Sequence, residues 1–179
     1  MALPYRFGSA TSADKLFFAQ LQADLDALQA GQIPGTTTND NAAVGNVGEY
    51  IESLIPAASH VALTTATPAN VTSISLTAGD WDVWINGFLQ PAATTVTTSG
   101  ILCMSLVSAT LDVTMGRVGI LSIPAAGFTG AGSGGNISVN AGPARFSLAA
   151  TTTVFFVAQA SFTTSTMHAY GGLFARRMR

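Results

Sequence analysis

Five carboxylates (Glu49, Glu52, Asp80, Asp82 and Asp112), two histidines (His60 and His168) and one cysteine (Cys103) could carry chemistry in the body of this 179-residue chain. A glycosidase needs two carboxyl groups held across one sugar bond, and the spacing of these five selects no pair. Asn39-Asp40-Asn41 and Asp80/Asp82 offer oxygen ligands, but turn chemistry accounts for them more simply. Cys103 lies in the apolar run Ile101-Leu102-Cys103-Met104, where a thiol reads as a buried small hydrophobe. There is no His-x-x-x-His, no cysteine pair and no EF-hand ladder of the kind that holds zinc or calcium. Gly130-Ala131-Gly132-Ser133-Gly134-Gly135 spells GxGxxG, but a dinucleotide site needs those glycines between a strand and a helix, with an acidic residue about 20 positions on. Strand-like Ile137-Ser138-Val139 follows instead, and no acid occurs after Asp112, so the run reads as a flexible loop. His60 and His168 read as surface or interface residues. The expectation is a protein that is not an enzyme, with no catalytic, cofactor-binding or metal-ligating residues.

Composition points the same way. The chain is 48% hydrophobic with only 9% charged residues, against about 25% charged in ordinary soluble domains. Thr, Ser, Ala, Gly and Asn must cover its surface, which excludes a disordered charged tail. Seven basic residues against nine acidic ones do not match a phosphate backbone. The terminal Arg176-Arg177-Met178-Arg179 lacks the interleaved aromatics of a nucleic-acid site and reads as a solvated tail or a carboxylate partner. No apolar run approaches the roughly 18 residues that span a bilayer. Met1 to Ser12 lacks the pattern of a signal peptide, so the expectation is assembly in a cytoplasm without membrane insertion. All nine acids lie at or before Asp112, where Arg6 and Lys15 are the only bases, and five arginines follow. Either strands mixed within one sandwich cancel this asymmetry, or it marks head-to-tail complementarity between subunits.

Four segments position these residues. Residues 1–11 form an arm, apolar and aromatic but without a period. A helix follows over 12–31, with Ser12 as N-cap, Asp14 in the first turn and Gly31 as the C-terminal stop. Phe18, Leu21, Leu25 and Leu28 are spaced 3, 4, 3, the seam of a two-heptad bundle. That stripe packs either on its own domain or, the favoured reading, against the same stripe in other copies. Two heptads are marginal alone. Residues 32–46 make a polar linker broken at Pro34-Gly35, and from 47 to 179 short strands alternate with turn signals, including Asn86-Gly87 and the Gly-rich stretch from Gly127 to Gly142. Alternation sends Trp81, Val83 and Ile85 inward and Trp84 outward, where a neighbouring subunit would cover it. Loops such as Thr94–Gly100 and Gly127–Gly142 are expected at the tips. The fold class is mainly β: arm and short helix, then an antiparallel β-sandwich.

Three stretches carry a resemblance. Met1-Ala2-Leu3-Pro4-Tyr5-Arg6-Phe7-Gly8-Ser9-Ala10-Thr11 resembles the N-terminal arm of structural proteins from short-tailed bacteriophages. Gly45-Asn46-Val47-Gly48-Glu49-Tyr50 with Val71-Thr72-Ser73-Ile74-Ser75-Leu76-Thr77-Ala78-Gly79-Asp80-Trp81-Asp82-Val83, and the close Ala169-Tyr170-Gly171-Gly172-Leu173-Phe174-Ala175-Arg176-Arg177, are similar to the β-domain of phage tail and virion-surface proteins. The resemblance implies a jelly-roll head like those of C1q and tumour necrosis factor, assembled as a homotrimer. It implies an arm anchored to the virion through Leu3, Pro4, Tyr5 and Phe7, and a stalk interface of Phe18, Leu21, Leu25 and Leu28. The implied role is a tail fibre or tail-associated adaptor, partnered by other tail or capsid proteins and by a host-surface glycan or receptor. A capsid decoration or head-fibre protein is the alternative, and a glycan-cleaving enzyme a distant third.

Overall fold

In a computed structural model of the chain, the described residues are 11–29, 40–122, 127–129 and 135–179. They fall into two units, Met1–Asp40 and Asn41–Arg179. The first holds one helix, α1 (Ser12–Gln29). Its cap is Thr11, one residue earlier than Ser12. The Asp14 amide donates to Thr11 Oγ1 at 3.2 Å, and the Asp14 carboxylate accepts from the Thr11 amide at 2.9 Å and hydroxyl at 2.7 Å. This is a reciprocal capping box, which satisfies helix-end donors that would otherwise be orphaned. The hydrogen bonds from Thr11 hold Asp14 below the usual carboxylate range. Gln20–Asp24 and Gln22–Asp26 hydrogen bonds, one turn apart, secure the polar faces. Gly31 lies outside the described residues.

The second unit is a two-sheet antiparallel sandwich of ten strands: β1 (Tyr50–Ile55), β2 (Val61–Leu63), β3 (Ala69–Leu76), β4 (Gly79–Pro91), β5 (Val96–Ser105), β6 (Val118–Ser122), β7 (Phe128–Thr129), β8 (Ile137–Leu148), β9 (Thr152–Thr163) and β10 (Met167–Arg177). One sheet runs β1-β10-β4-β8 with β2 also on β10; the other runs β3-β9-β5-β6 with β7 also on β5. The pairs are nested: β1 with β10, β3 with β9, β4 with β8, β5 with β6. A chain folded into one long antiparallel ribbon and then wrapped produces this order, which is that of a jelly roll.

Alternation on β4 places Trp81, Val83, Ile85 and Leu89 fully inside, where they meet Leu102, Phe146, Phe156 and Leu173 from the other strands. The Trp81 indole N–H, buried with its ring, donates to the Thr77 carbonyl at 2.9 Å. Two expected turns are strand instead. Asn86-Gly87 does not break the chain, because β4 runs through it, and Gly87 is needed there for packing. A Cβ on Gly87 would lie 2.2 Å from Leu102 Cδ2 and 2.8 Å from Phe156 Cζ. Thr94–Gly100 is not a tip loop either: β5 starts at Val96, and Thr95 and Thr97 are wholly buried. Of the Gly-rich stretch, Ile137 onward is strand β8, and residues 123–126, 130 and 131–134 lie outside the described residues.

Nesting also settles the charge asymmetry. First strands lie beside last strands, so early acids meet late arginines inside one chain. Glu49 pairs with Arg177 at 2.9 Å and Asp80 with Arg145 at 2.8 Å and with Arg179, whereas Asp112 meets Arg117 locally, at 3.0 Å and five residues on, between β5 and β6. Head-to-tail complementarity is therefore not needed to explain it. The terminal arginines are carboxylate partners at two of three positions.

Candidate interaction surface

The outward side chains of the β1-β10-β4-β8 sheet form rows across it, set by strand register. Tyr50, Arg176, Asp82 and Arg145 make the first; Glu52, Phe174 and Trp84 the second; Leu54, Gly172, Asn86 and Asn140 the third. Tyr170, Phe88 and Ser138 make the fourth, and Ala62, His168 and Gln90 the fifth. Because strands alternate, these are the side chains the core does not use.

Two rows are aromatic. Trp84 stacks on Phe174 with ring centres 5.6 Å apart and planes 14° apart, and Tyr50 lies 6.2 Å from Trp84 and 6.5 Å from Phe174. Phe88 stacks on Tyr170 at 5.0 Å. All five rings are half-buried, and Leu54 between the rows is exposed. Gly172 permits this arrangement: a Cβ there would fall 2.4 Å from the Phe174 ring and 2.7 Å from Leu54 Cδ2. Trp84 does point outward as alternation requires, and Tyr50 and Phe174 of the same chain supply part of its cover.

Charges sit at the margins. Glu52 is on edge strand β1, where it accepts from the Tyr50 hydroxyl at 2.9 Å, and Arg145 is on edge strand β8. Burial, and then the hydrogen bond to Glu52, raise the Tyr50 hydroxyl pKa above the ordinary tyrosine range. The Arg145 hydrogen bonds, joined by Arg179, hold Asp80 down to about 2. Burial pushes Glu49 upward, but the Gly45 amide and the Arg177 guanidinium outweigh it and leave this carboxyl below its usual value. These low values mark structural ion pairs; a general acid would need the opposite shift. A cleft of about 400 Å³ opens beside the first row, lined by Asp82, Trp84, Pro143, Arg176 and Met178.

The helical unit carries a second apolar surface. Phe18, Leu21 and Leu25 are 57%, 54% and 47% exposed along one stripe, joined by Phe17 at 65%. Leu28 belongs to the same helix, but its side chain lies outside the described residues, as do Leu3, Pro4, Tyr5 and Phe7. Sequence reasoning missed Tyr50, Phe88, Tyr170 and Phe174. Continuing the Asp82-Trp84-Asn86 alternation through the Asn-Gly pair would have found Phe88. Among the described residues no group of three or more His, Cys, Asp or Glu converges on a point, and no helix is long and apolar enough to cross a membrane.

No family model matches the chain, and no curated protein matches it. Solved structures that do overlay include the "Structure of infectious bursal disease virus Gx strain", 12% identical over 82% of this chain with a TM-score of 0.42. The "Structure of infectious bursal disease virus Gt strain" is 11% identical over 83%, with a TM-score of 0.40. This chain spans 38% of the length of each of those chains.

Proposed function

We propose that this chain is a non-catalytic structural protein of a bacteriophage virion, a homotrimeric tail fibre or tail-associated adaptor. In this reading Leu3, Pro4, Tyr5 and Phe7 anchor it, Phe18, Leu21, Leu25 and Leu28 form a trimeric stalk, and the jelly roll is the head presented to the host surface. The observation that carries the assembly is a pair of apolar surfaces among the described residues, the exposed stripe of α1 and the half-buried aromatic rows of the β1-β10-β4-β8 sheet. Contiguous apolar surface of this kind marks interaction sites on soluble proteins.

Copies of the same chain are the occupant. The rows run across the strands, so an axis parallel to the strands brings like row against like row in each copy. Edge strand β1 of one copy then lies beside edge strand β8 of the next. Such heterologous contacts close into a ring when the rotation allows. The phage assignment is supported by the resemblance of the arm, of Gly45–Tyr50 with Val71–Val83, and of the close Ala169–Arg177. A host-surface glycan or receptor would be met by exposed parts of the head.

Quantifying the chain in purified particles tests the virion role. Tens of copies or fewer per particle are expected for a tail component, hundreds would transfer the role to capsid decoration, and absence from particles would refute both.

A further inference from the structure

At the fifth row of the sheet, two histidines far apart in sequence lie ring against ring. His60 follows a single 3-10 turn (Ala57–Ser59) and precedes β2, and His168 is on β10 opposite Ala62. Their ring centres are 3.9 Å apart, with the planes at 36°. The Ala57 carbonyl, 2.8 Å from His60 Nδ1, can only accept, so Nδ1 carries the proton of the neutral ring and Nε2 is left to take a second. Two rings this close tolerate one positive charge between them far better than two, because like charges repel strongly away from bulk water. No carboxylate offsets such a charge. With Gln90, Pro91 and Ala92 the pair lines one cavity of about 240 Å³, and none of these three titrates. The 3-10 turn, β2 and β10 contain no acid, and Asp80 and Asp82 lie at the far end of β4. The fourth row adds Tyr170, whose hydroxyl accepts from Asn136, and no charged residue.

We propose that the stacked His60 and His168 are an acid-sensitive release for the self-assembly face, letting copies meet when neutral and parting them when protonated. This rests on the assembly reading above, in which like rows meet, so that the histidine pairs of all copies gather at one end of the sheet. Near neutral pH that end is uncharged and loses little by leaving water for the next copy. As the pH falls, protons taken up there become positive charges that face one another with no acid between them. Histidine is the side chain whose ordinary titration range suits such a switch. Burial, and after it the neighbouring His60, lower the pKa of His168. A lowered value favours the neutral ring in the folded chain, so the stability it supports is present above the ordinary histidine pKa of about 6.5 and is lost as pH falls through it. One proton excluded per copy lowers a trimer's association constant about a thousandfold per pH unit below that range, and raises the concentration for half-assembly about thirtyfold.

The test is sedimentation equilibrium of the full chain at about pH 7.5 and about pH 5, on either side of the histidine range, with circular dichroism on the same samples. Wild type is expected at three chain masses at the higher pH and toward one at the lower, its β-sandwich spectrum unchanged. The double variant His60→Gln, His168→Gln is expected to have the same mass at both. His60→Gln alone, an exposed position outside the five rows, is expected to shift in mass less than wild type; it decides the matter where the double variant does not assemble. Wild type at three chain masses at both pH values overturns the proposal and leaves the assembly reading standing. A shift as large in the variants as in wild type, or loss of the β-sandwich spectrum at the lower pH, also overturns it. Wild type at one chain mass already at the higher pH overturns both readings.

Discussion

Arg177→Ala is expected to lower the stability of the β-sandwich by about 3–5 kcal/mol, the range found when one partner of a buried ion pair is removed. Arg177 is 4% exposed and Glu49 3%. The guanidinium donates from Nε to Glu49, from Nη1 to the Ala78 carbonyl at 2.9 Å and from Nη2 to Thr77 Oγ1, while its plane lies 4.3 Å from the centre of the Trp81 ring. Removing it leaves a buried carboxylate, two unpaired acceptors and an uncovered indole face. Gly79 is built around this side chain, since a Cβ there would sit 2.1 Å from Arg177 Nη1. Arg177→Lys is not expected to rescue, because one ammonium cannot serve three acceptors in a planar fork. Urea denaturation reads the effect as a lower midpoint at constant slope. A midpoint equal to that of wild type would show that the chain closes without this pair.

Gly87→Ala is the second large effect, a loss of about 1–3 kcal/mol from overpacking. The added methyl enters the space of Leu102 and Phe156, both completely buried between the two sheets, where neither has solvent to move into. Asn86→Ala, one residue away on the outward face and exposed, is the control and should stay within about 0.5 kcal/mol of wild type. Equal melting temperatures for G87A and wild type would mean that the sheets can separate locally at this point.

These two sites also measure how far the sequence could be read. The inward set Trp81, Val83 and Ile85 and the outward Trp84 were legible because a strand has a period of two. So was the helix α1, whose apolar spacing is local. Asn86-Gly87 was misread because its dipeptide has the chemistry of a tight turn, whereas the glycine is there for two core side chains contributed by distant strands. Thr94–Gly100 misled in a similar way: its threonines look like loop residues, yet Thr95 is buried with its hydroxyl donated to the Thr166 carbonyl at 2.7 Å. The Glu49–Arg177 pair and the contact between the His60 and His168 rings each join an early and a late part of the β-sandwich. No short-range pattern encodes them, because they follow from the nested strand order. Charge asymmetry along the chain was visible, and its meaning became clear only when early and late strands were seen side by side.

The proposed assembly of identical copies is read from the mass of the chain in solution. Sedimentation equilibrium of the full chain is expected to give three times the 18.3 kDa chain mass, with the Leu21→Asp, Leu25→Asp double variant shifted toward smaller species while its β-sandwich stays folded. A wild-type protein that stays at 18.3 kDa across the accessible concentration range would contradict the claim.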